Sequence, residues 1–254
     1  MKFGRFKHQA NGTILQGIVT ENGIQQIEGD IFSDWTNTDV TYQVDELELL
    51  EPLRPRQVIG IGANYVQKVE DLPSELPEIP VFFYKPVSSV IGPEQPIEIP
   101  SKITEVKFES ELAVIIGRSA RNISEDEVED YIFGYTIAND VTAPQFFHEA
   151  GHWTIGKSFD TFTPLGPYIE TAIDPDKVTV EAYLNGDKKQ DSETNLMIVP
   201  LRKMVSYLSS VMTLEPGDVI LTGSPLGAVM MKNGDEIICR IEGIGELRNP
   251  VKQG

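Results

Sequence analysis

The chain has one cysteine, Cys239, in 254 residues. No disulfide can form within it, and a reducing cytoplasm is the expected setting. Basic residues are also scarce: 21 Lys and Arg stand against 39 Asp and Glu, a formal net charge of −18. A surface of that sign repels nucleic acid and anionic membranes, so neither is expected as a partner. An anionic small molecule stays compatible if local cations or a metal reverse the field at its site. No apolar run approaches the roughly 20 residues of a spanning helix. The basic start, Met1-Lys2-Phe3-Gly4-Arg5-Phe6-Lys7, is followed by no apolar stretch, so a signal peptide is not expected. Internal repeats and low-complexity tracts are missing too.

What is present is enough apolar material for a substantial core, 40% of residues. The length fits one domain of generous size, or a large domain with a small one attached. Residues 1–52 read as a small β subdomain, with strands at 13–19 and 23–27 around the Asn22-Gly23 turn and another at 39–44. The boundary is expected near Glu51-Pro52-Leu53-Arg54-Pro55, leaving 53–254 as the main domain. There, a strand running into a glycine turn is expected within 58–65, and further strands at 81–85, 135–140, 179–184, within 219–225 and at 236–242. In the last of these Ile237, Cys239 and Ile241 share a face. Ser124 and Glu127 form a capping box for a short helix through Tyr131. Pro200 opens an amphipathic helix whose Leu201, Met204, Val205, Leu208, Val211 and Met212 are expected in the core. Strands outnumber helices, so the expected class is α+β with a mixed or antiparallel β core.

The most informative stretch is Glu105-Val106-Lys107-Phe108-Glu109-Ser110-Glu111-Leu112-Ala113-Val114-Ile115-Ile116-Gly117. It reads as a strand, in which Glu109 and Glu111 look to one face with Ala113 and Ile115 after them. Two carboxylates on a strand running into a core call for a counter-charge. A divalent cation in an all-oxygen site supplies it, and Mg²⁺, Mn²⁺ or Ca²⁺ suits that site better than Zn²⁺. The same spacing also fits an exposed acidic face paired with Lys or Arg. Asp140 ends a strand, where it can complete a metal site or simply cap a turn. Residues 141–167 are irregular and hold His148, His152, Trp153, Lys157 and Asp160. His148 and His152 would share a face if helical, a weak zinc-pair pattern. Lys157 can bind a carboxylate or polarise a carbonyl, or be a surface lysine. Gly60-x-Gly62 lacks the third glycine and the following helix of a dinucleotide loop, which excludes that reading.

In order and spacing, these segments resemble the fumarylacetoacetate hydrolase family over about residues 55 to 252. The resemblance is carried by Gly60-Ile61-Gly62-Ala63-Asn64-Tyr65, by Phe83-Tyr84-Lys85-Pro86, by Phe108-Glu109-Ser110-Glu111-Leu112-Ala113 and by Ala138-Asn139-Asp140-Val141. It continues through Gly156-Lys157-Ser158-Phe159-Asp160, Leu221-Thr222-Gly223-Ser224-Pro225 and Glu242-Gly243-Ile244-Gly245. It implies a mixed β-sheet roll, usually in a homodimer, with a small N-terminal β domain. It further implies a Mg²⁺ or Mn²⁺ site formed by Glu109, Glu111 and Asp140, and 2-oxo acid substrates, often diacids, held as metal-stabilised enolates. Lys157 matches the family's active-site lysine and Thr222 its substrate-binding threonine, and Tyr65, in the opening motif, is expected to bind substrate with them. Hydrolytic members carry a His and a Glu where this chain has Lys68 and Asp71, with Glu70 adjacent. They also carry an Arg and a Gln where this chain has Pro144 and Phe147. An ordinary lysine is a poor base. The expectation is therefore an enolising decarboxylase, isomerase or tautomerase, with His148 or His152 as a replacement base. The alternatives are a C–C hydrolase using Lys68, Glu70 or Asp71, and a catalytically silent member that binds metal and small acids.

Overall fold

A computed structural model describes residues 1–149 and 152–254. The N-terminal strands are β1 (Lys2–His8), β2 (Ile14–Thr20), β3 (Gly23–Gly29), β4 (Trp35–Tyr42) and β5 (Leu47–Leu49). There follow β6 (Val58–Ile61), β7 (Phe82–Lys85), β8 (Val90–Ile91), β9 (Ile97–Ile99), β10 (Ser110–Ile116) and β11 (Ile132–Asn139). The last part holds β12 (Thr163–Glu170), β13 (Thr179–Leu184), β14 (Asp187–Glu193), α1 (Leu201–Val211), β15 (Val219–Leu221), β16 (Glu236–Ile241) and β17 (Gly245–Gln253). The class is α+β with a mixed β-sheet and few helices, as expected. Among the described residues α1 is the one α-helix, and no helix is long and apolar enough to cross a membrane.

Two sheets build the molecule. The larger runs β4-β3-β2-β1-β12-β11-β10-β15-β6-β7, and the smaller runs β14-β13-β16-β17-β9. Pairing is mostly antiparallel, with β15–β6, β12–β8 and β17–β9 parallel. The N-terminal strands join the larger sheet through β1, whose Lys2 and Phe3 face Glu170 and Ile169 of β12.

β10 is the spine. All seven of its residues are buried, and its side chains alternate between two cores. Leu112, Val114 and Ile116 pack with residues of the smaller sheet and of α1, such as Val180, Ile237 and Leu208. Ala113 and Ile115 pack with Phe3, Ile27, Leu165 and Ile169 on the other face. A strand covered on both faces is apolar along most of its length, and from Leu112 to Ile116 this run is continuous rather than alternating. Ile237, Cys239 and Ile241 all lie in the inter-sheet core.

α1 buries Leu201, Met204, Val205 and Leu208, each contributing about 1.5–3 kcal/mol on full burial. Val211 departs from expectation and is 49% exposed. It sits at the edge of the apolar stripe in the last turn, where the chain leaves as extended backbone at Met212. The capping box of Ser124 and Glu127 is formed, but it starts a 3₁₀ helix, Glu125–Tyr131, rather than an α-helix. The third N-terminal strand begins earlier than expected, at Trp35, because β4 pairs back to Gly29.

Candidate active site

Antiparallel pairing brings the acidic residues together. Ser110 faces Asn139 and Glu111 faces Ala138, which sets the start of β10 beside the end of β11. One residue further, the Asp140 amide donates to the Glu109 carbonyl at 2.8 Å. Glu109, Glu111 and Asp140 therefore converge, with one carboxylate oxygen of each within 4.8 Å of the others. Among the described residues no other such cluster occurs. The three line a cavity of about 340 Å³.

Three lysines answer these carboxylates. Lys157, on the 3₁₀ turn Ile155–Lys157, places Nζ 2.5 Å from Glu109 Oε2 and also donates to Asp140 Oδ2. Lys107 Nζ lies 2.6 Å from Glu109 Oε1. Lys85, at the end of β7, is fully buried, with Nζ 2.7 Å from Asp140 Oδ1. It also donates to the carbonyls of Val141 at 3.2 Å and Lys157 at 2.9 Å. Lys85 thus ties the end of β11 to the turn that carries Lys157. The Gly223 amide donates to Glu111 Oε2 at 2.7 Å.

The charges shift one another. Burial, with the Asp140 and Glu109 carboxylates nearby, pushes Glu111 well above the usual carboxylate range. Burial acts on Asp140 in the same sense, but the Lys157 and Lys85 ammoniums outweigh it and hold Asp140 below its ordinary value. Burial opposes the charge on Lys157 too, and there Asp140 and Glu109 outweigh it and raise its pKa. For Lys85 burial wins, and its pKa is lowered.

The donor set fits a divalent cation. It consists of oxygens alone, which suits Mg²⁺, Mn²⁺ or Ca²⁺. Asp140 Oδ1 is buried and accepts no hydrogen bond, though it is in ion contact with Lys85. The three lysines pair with Glu109 and Asp140, whereas among the described residues Glu111 has no ammonium partner and accepts only the Gly223 amide, which leaves one carboxylate for a cation to engage.

The same cavity has an aromatic wall, which reaches the carboxylate cluster where Lys157 Nζ stands 4.8 Å over the Phe83 ring. Trp153 stacks on Phe147, centroids 5.6 Å apart and planes at 21°, and meets Phe83 edge-on at 5.9 Å. Gly62 makes room for that ring, since a Cβ there would lie 1.9 Å from a Trp153 ring carbon. Gly62→Ala is expected to push Trp153 out of the wall. Its indole would then move into water, and Trp emission would shift to the red with little change in unfolding midpoint. Unchanged emission would contradict this placement.

The remaining expected residues lie elsewhere. Lys68, Glu70 and Asp71 are exposed, in and beside the 3₁₀ turn Val69–Asp71, and do not line the cavity. His148 and His152 are exposed, with ring centroids 5.9 Å apart, and neither lines the cavity, although their neighbours Phe147 and Trp153 do. Thr222 is buried and its hydroxyl donates to the Leu112 carbonyl at 2.9 Å. Tyr65 is buried with no hydrogen bond to its hydroxyl, and burial with the Glu111 charge raises its pKa. Sequence reasoning gave no role to Lys85, Lys107 or the aromatic wall. A lysine ending the apolar strand 81–85 was itself a signal, because a buried ammonium needs a partner.

Comparison with known proteins decides the family. The model described as fumarylacetoacetate (FAA) hydrolase C-terminal matches residues 57–252. The chain belongs to the fumarylacetoacetate hydrolase family. A second model, Rv2993c-like, N-terminal, matches residues 1–52. Oxaloacetate tautomerase fahd2, mitochondrial, of Xenopus laevis is 39% identical over 81% of this chain and 68% of its own length. The crystal structure of 5-carboxymethyl-2-hydroxymuconate delta-isomerase from Mycobacterium smegmatis superposes with TM-score 0.93 at 36% identity, covering 100% of both chains. Maleylpyruvate hydrolase from Sphingobium sp. SYK-6, in complex with manganese (II) ion and pyruvate, superposes with TM-score 0.80 at 27% identity over 100% of both chains. Against the family pattern read from sequence, Phe147 belongs to the aromatic wall, and Pro144 begins the 3₁₀ turn Pro144–Phe146.

Proposed function

We propose that this family member enolises 2-oxo acids, diacids included, and works as an isomerase, tautomerase or decarboxylase with a divalent cation held by Glu109, Glu111 and Asp140. The observation that carries the reading is the convergence of these three carboxylates and Lys157 in a cavity whose described lining contains no histidine. A cation bound there supplies Lewis acidity that favours the enol form of a 2-oxo acid. The chain's own residues orient the substrate. Lys157 Nζ offers a charge-assisted hydrogen bond to a substrate oxygen. The aromatic wall keeps water from one side of the cavity. The oxaloacetate tautomerase and the hydroxymuconate isomerase among the relatives support this class of reaction.

Hydrolytic C–C cleavage is the second reading, favoured by the likeness to maleylpyruvate hydrolase. It requires a base that activates water, and Lys68, Glu70 and Asp71 stand outside the cavity lining. We take the working form to be a cytoplasmic homodimer, on the family resemblance. Product analysis by NMR separates the readings. With Mg²⁺, oxaloacetate is expected to interconvert between keto and enol forms or lose CO₂ faster than in the protein-free control, and acetylpyruvate to yield no acetate. Stoichiometric acetate and pyruvate from acetylpyruvate would establish the hydrolase instead.

A further inference from the structure

Two lysines line the cavity among the described residues, and their settings differ. Lys157 is 4% exposed and locked to both Glu109 and Asp140. The Lys107 side chain keeps 27% of its surface exposed, and Glu109 Oε1 is its ion-pair partner. Its backbone is fixed by bridges to Thr142 and Met230, with the Lys107 amide donating to the Thr142 carbonyl at 2.8 Å. A long, half-free side chain on a rigid backbone can swing its ammonium across the cavity mouth without disturbing the fold. Away from the carboxylates, the cavity side chains are apolar except Ser224, with Ile61, Phe83, Phe147, Trp153 and Leu226 among them. A second substrate carboxylate entering against that wall would lose water. The ammonium that stands over it, Lys157 Nζ at 4.8 Å from the Phe83 centroid, is held by Glu109 and Asp140. Lys107 is the other cation of the cavity lining.

The charge balance agrees. Glu109, Glu111 and Asp140 with Lys85 and Lys157 carry one net negative charge. A divalent cation turns this to one positive, and Lys107 adds a second once Glu109 serves the cation. A dianion neutralises the site, whereas a monoanion leaves it positive.

We propose that Lys107 reads the distal carboxylate of the substrate and makes the site selective for 2-oxo diacids over 2-oxo monoacids; this rests on the enolising reading above. The test uses two unreactive 2-hydroxy acids, malate and lactate, titrated calorimetrically into the full-length protein with Mn²⁺ present. In wild type, malate is expected to bind about tenfold or more tighter than lactate, the worth of one charge-assisted hydrogen bond. Lys107→Gln should bring that ratio to about one, measured at saturating Mn²⁺ so that the lost Glu109 contact does not enter it, and Lys107→Arg should restore it. A ratio unchanged in Lys107→Gln would overturn the proposal. So would malate and lactate weakening together, which would confine Lys107 to its contact with Glu109. If Mn²⁺ binds and neither acid follows, the enolising reading fails first and this proposal falls with it.

Discussion

Lys85→Met is expected to lower the unfolding free energy of the metal-free protein by about 3–5 kcal/mol, the usual cost of breaking a buried ion pair from one side. Lys85 and Asp140 are both essentially inaccessible, at 0% and 1% side-chain exposure, so water cannot replace the lost partner. Methionine nearly preserves the volume, which leaves charge and hydrogen bonding as the change. The carbonyls of Val141 and Lys157 lose a donor, and Asp140 keeps only Lys157 as its cation. The Asp140 pKa should therefore rise. Urea unfolding of the chelated protein measures the loss, and Asp140→Asn in the same background should recover part of it, since neighbouring groups couple. A loss below about 1 kcal/mol would mean that the pair is not a real constraint on the fold.

Glu111→Gln is expected to lower turnover about 10³-fold, equivalent to several kcal/mol of charge stabilisation at the reacting oxygens. It should also abolish the rise in melting temperature that Mn²⁺ gives the wild type. The same residue sets a pH signature in the chelated protein. Its folded pKa stands above its unfolded value because of burial first and the neighbouring carboxylates second. A group shifted that way contributes stability below its unfolded pKa, about 4.3, and loses it as pH rises through the folded value. Asp140, shifted downward, acts oppositely and loses its contribution only at acid pH. As pH rises above the unfolded carboxylate range the chelated wild type should thus become less stable, and Glu111→Gln should lack that component. Mn²⁺ should counter that loss, because cation binding displaces the Glu111 proton. Thermal melts with chelator and with Mn²⁺ over that rise in pH check all three statements. A wild type whose Mn²⁺-induced shift equals that of Glu111→Gln would contradict the assignment of Glu111 as a ligand.

What could be read from the sequence follows from what periodicity encodes. The spine strand is legible because an uninterrupted apolar run has few other homes, but it begins at Ser110, so Glu109 meets Glu111 from the segment before the strand and not by strand alternation. Periodicity does not name a strand's neighbour, so the meeting of Asp140 with Glu109 became visible only through the register of β10 with β11. In the irregular stretch the titratable side chains His148 and His152 are exposed, whereas their neighbours Phe147 and Trp153 line the cavity. Short 3₁₀ turns such as Pro144–Phe146 and Ile155–Lys157 carry no lasting period that would have revealed this. Lys68 and Asp71 were picked by alignment to a pattern, and the exposed turn that holds them lies off the cavity. Lys85 stood in a quoted motif without a role, since only the tertiary structure supplies its three oxygen partners.

Enolisation at the three carboxylates is expected to depend on the cation. The most direct measurement follows the enol band of oxaloacetate by ultraviolet absorbance, with protein stripped by chelator and then reloaded with Mg²⁺, each corrected for the same solution without protein. No protein-dependent rate is expected in the stripped sample, with recovery on reloading in the wild type and none in Glu111→Gln. An equal rate with and without chelator, or full recovery in Glu111→Gln, would contradict that dependence.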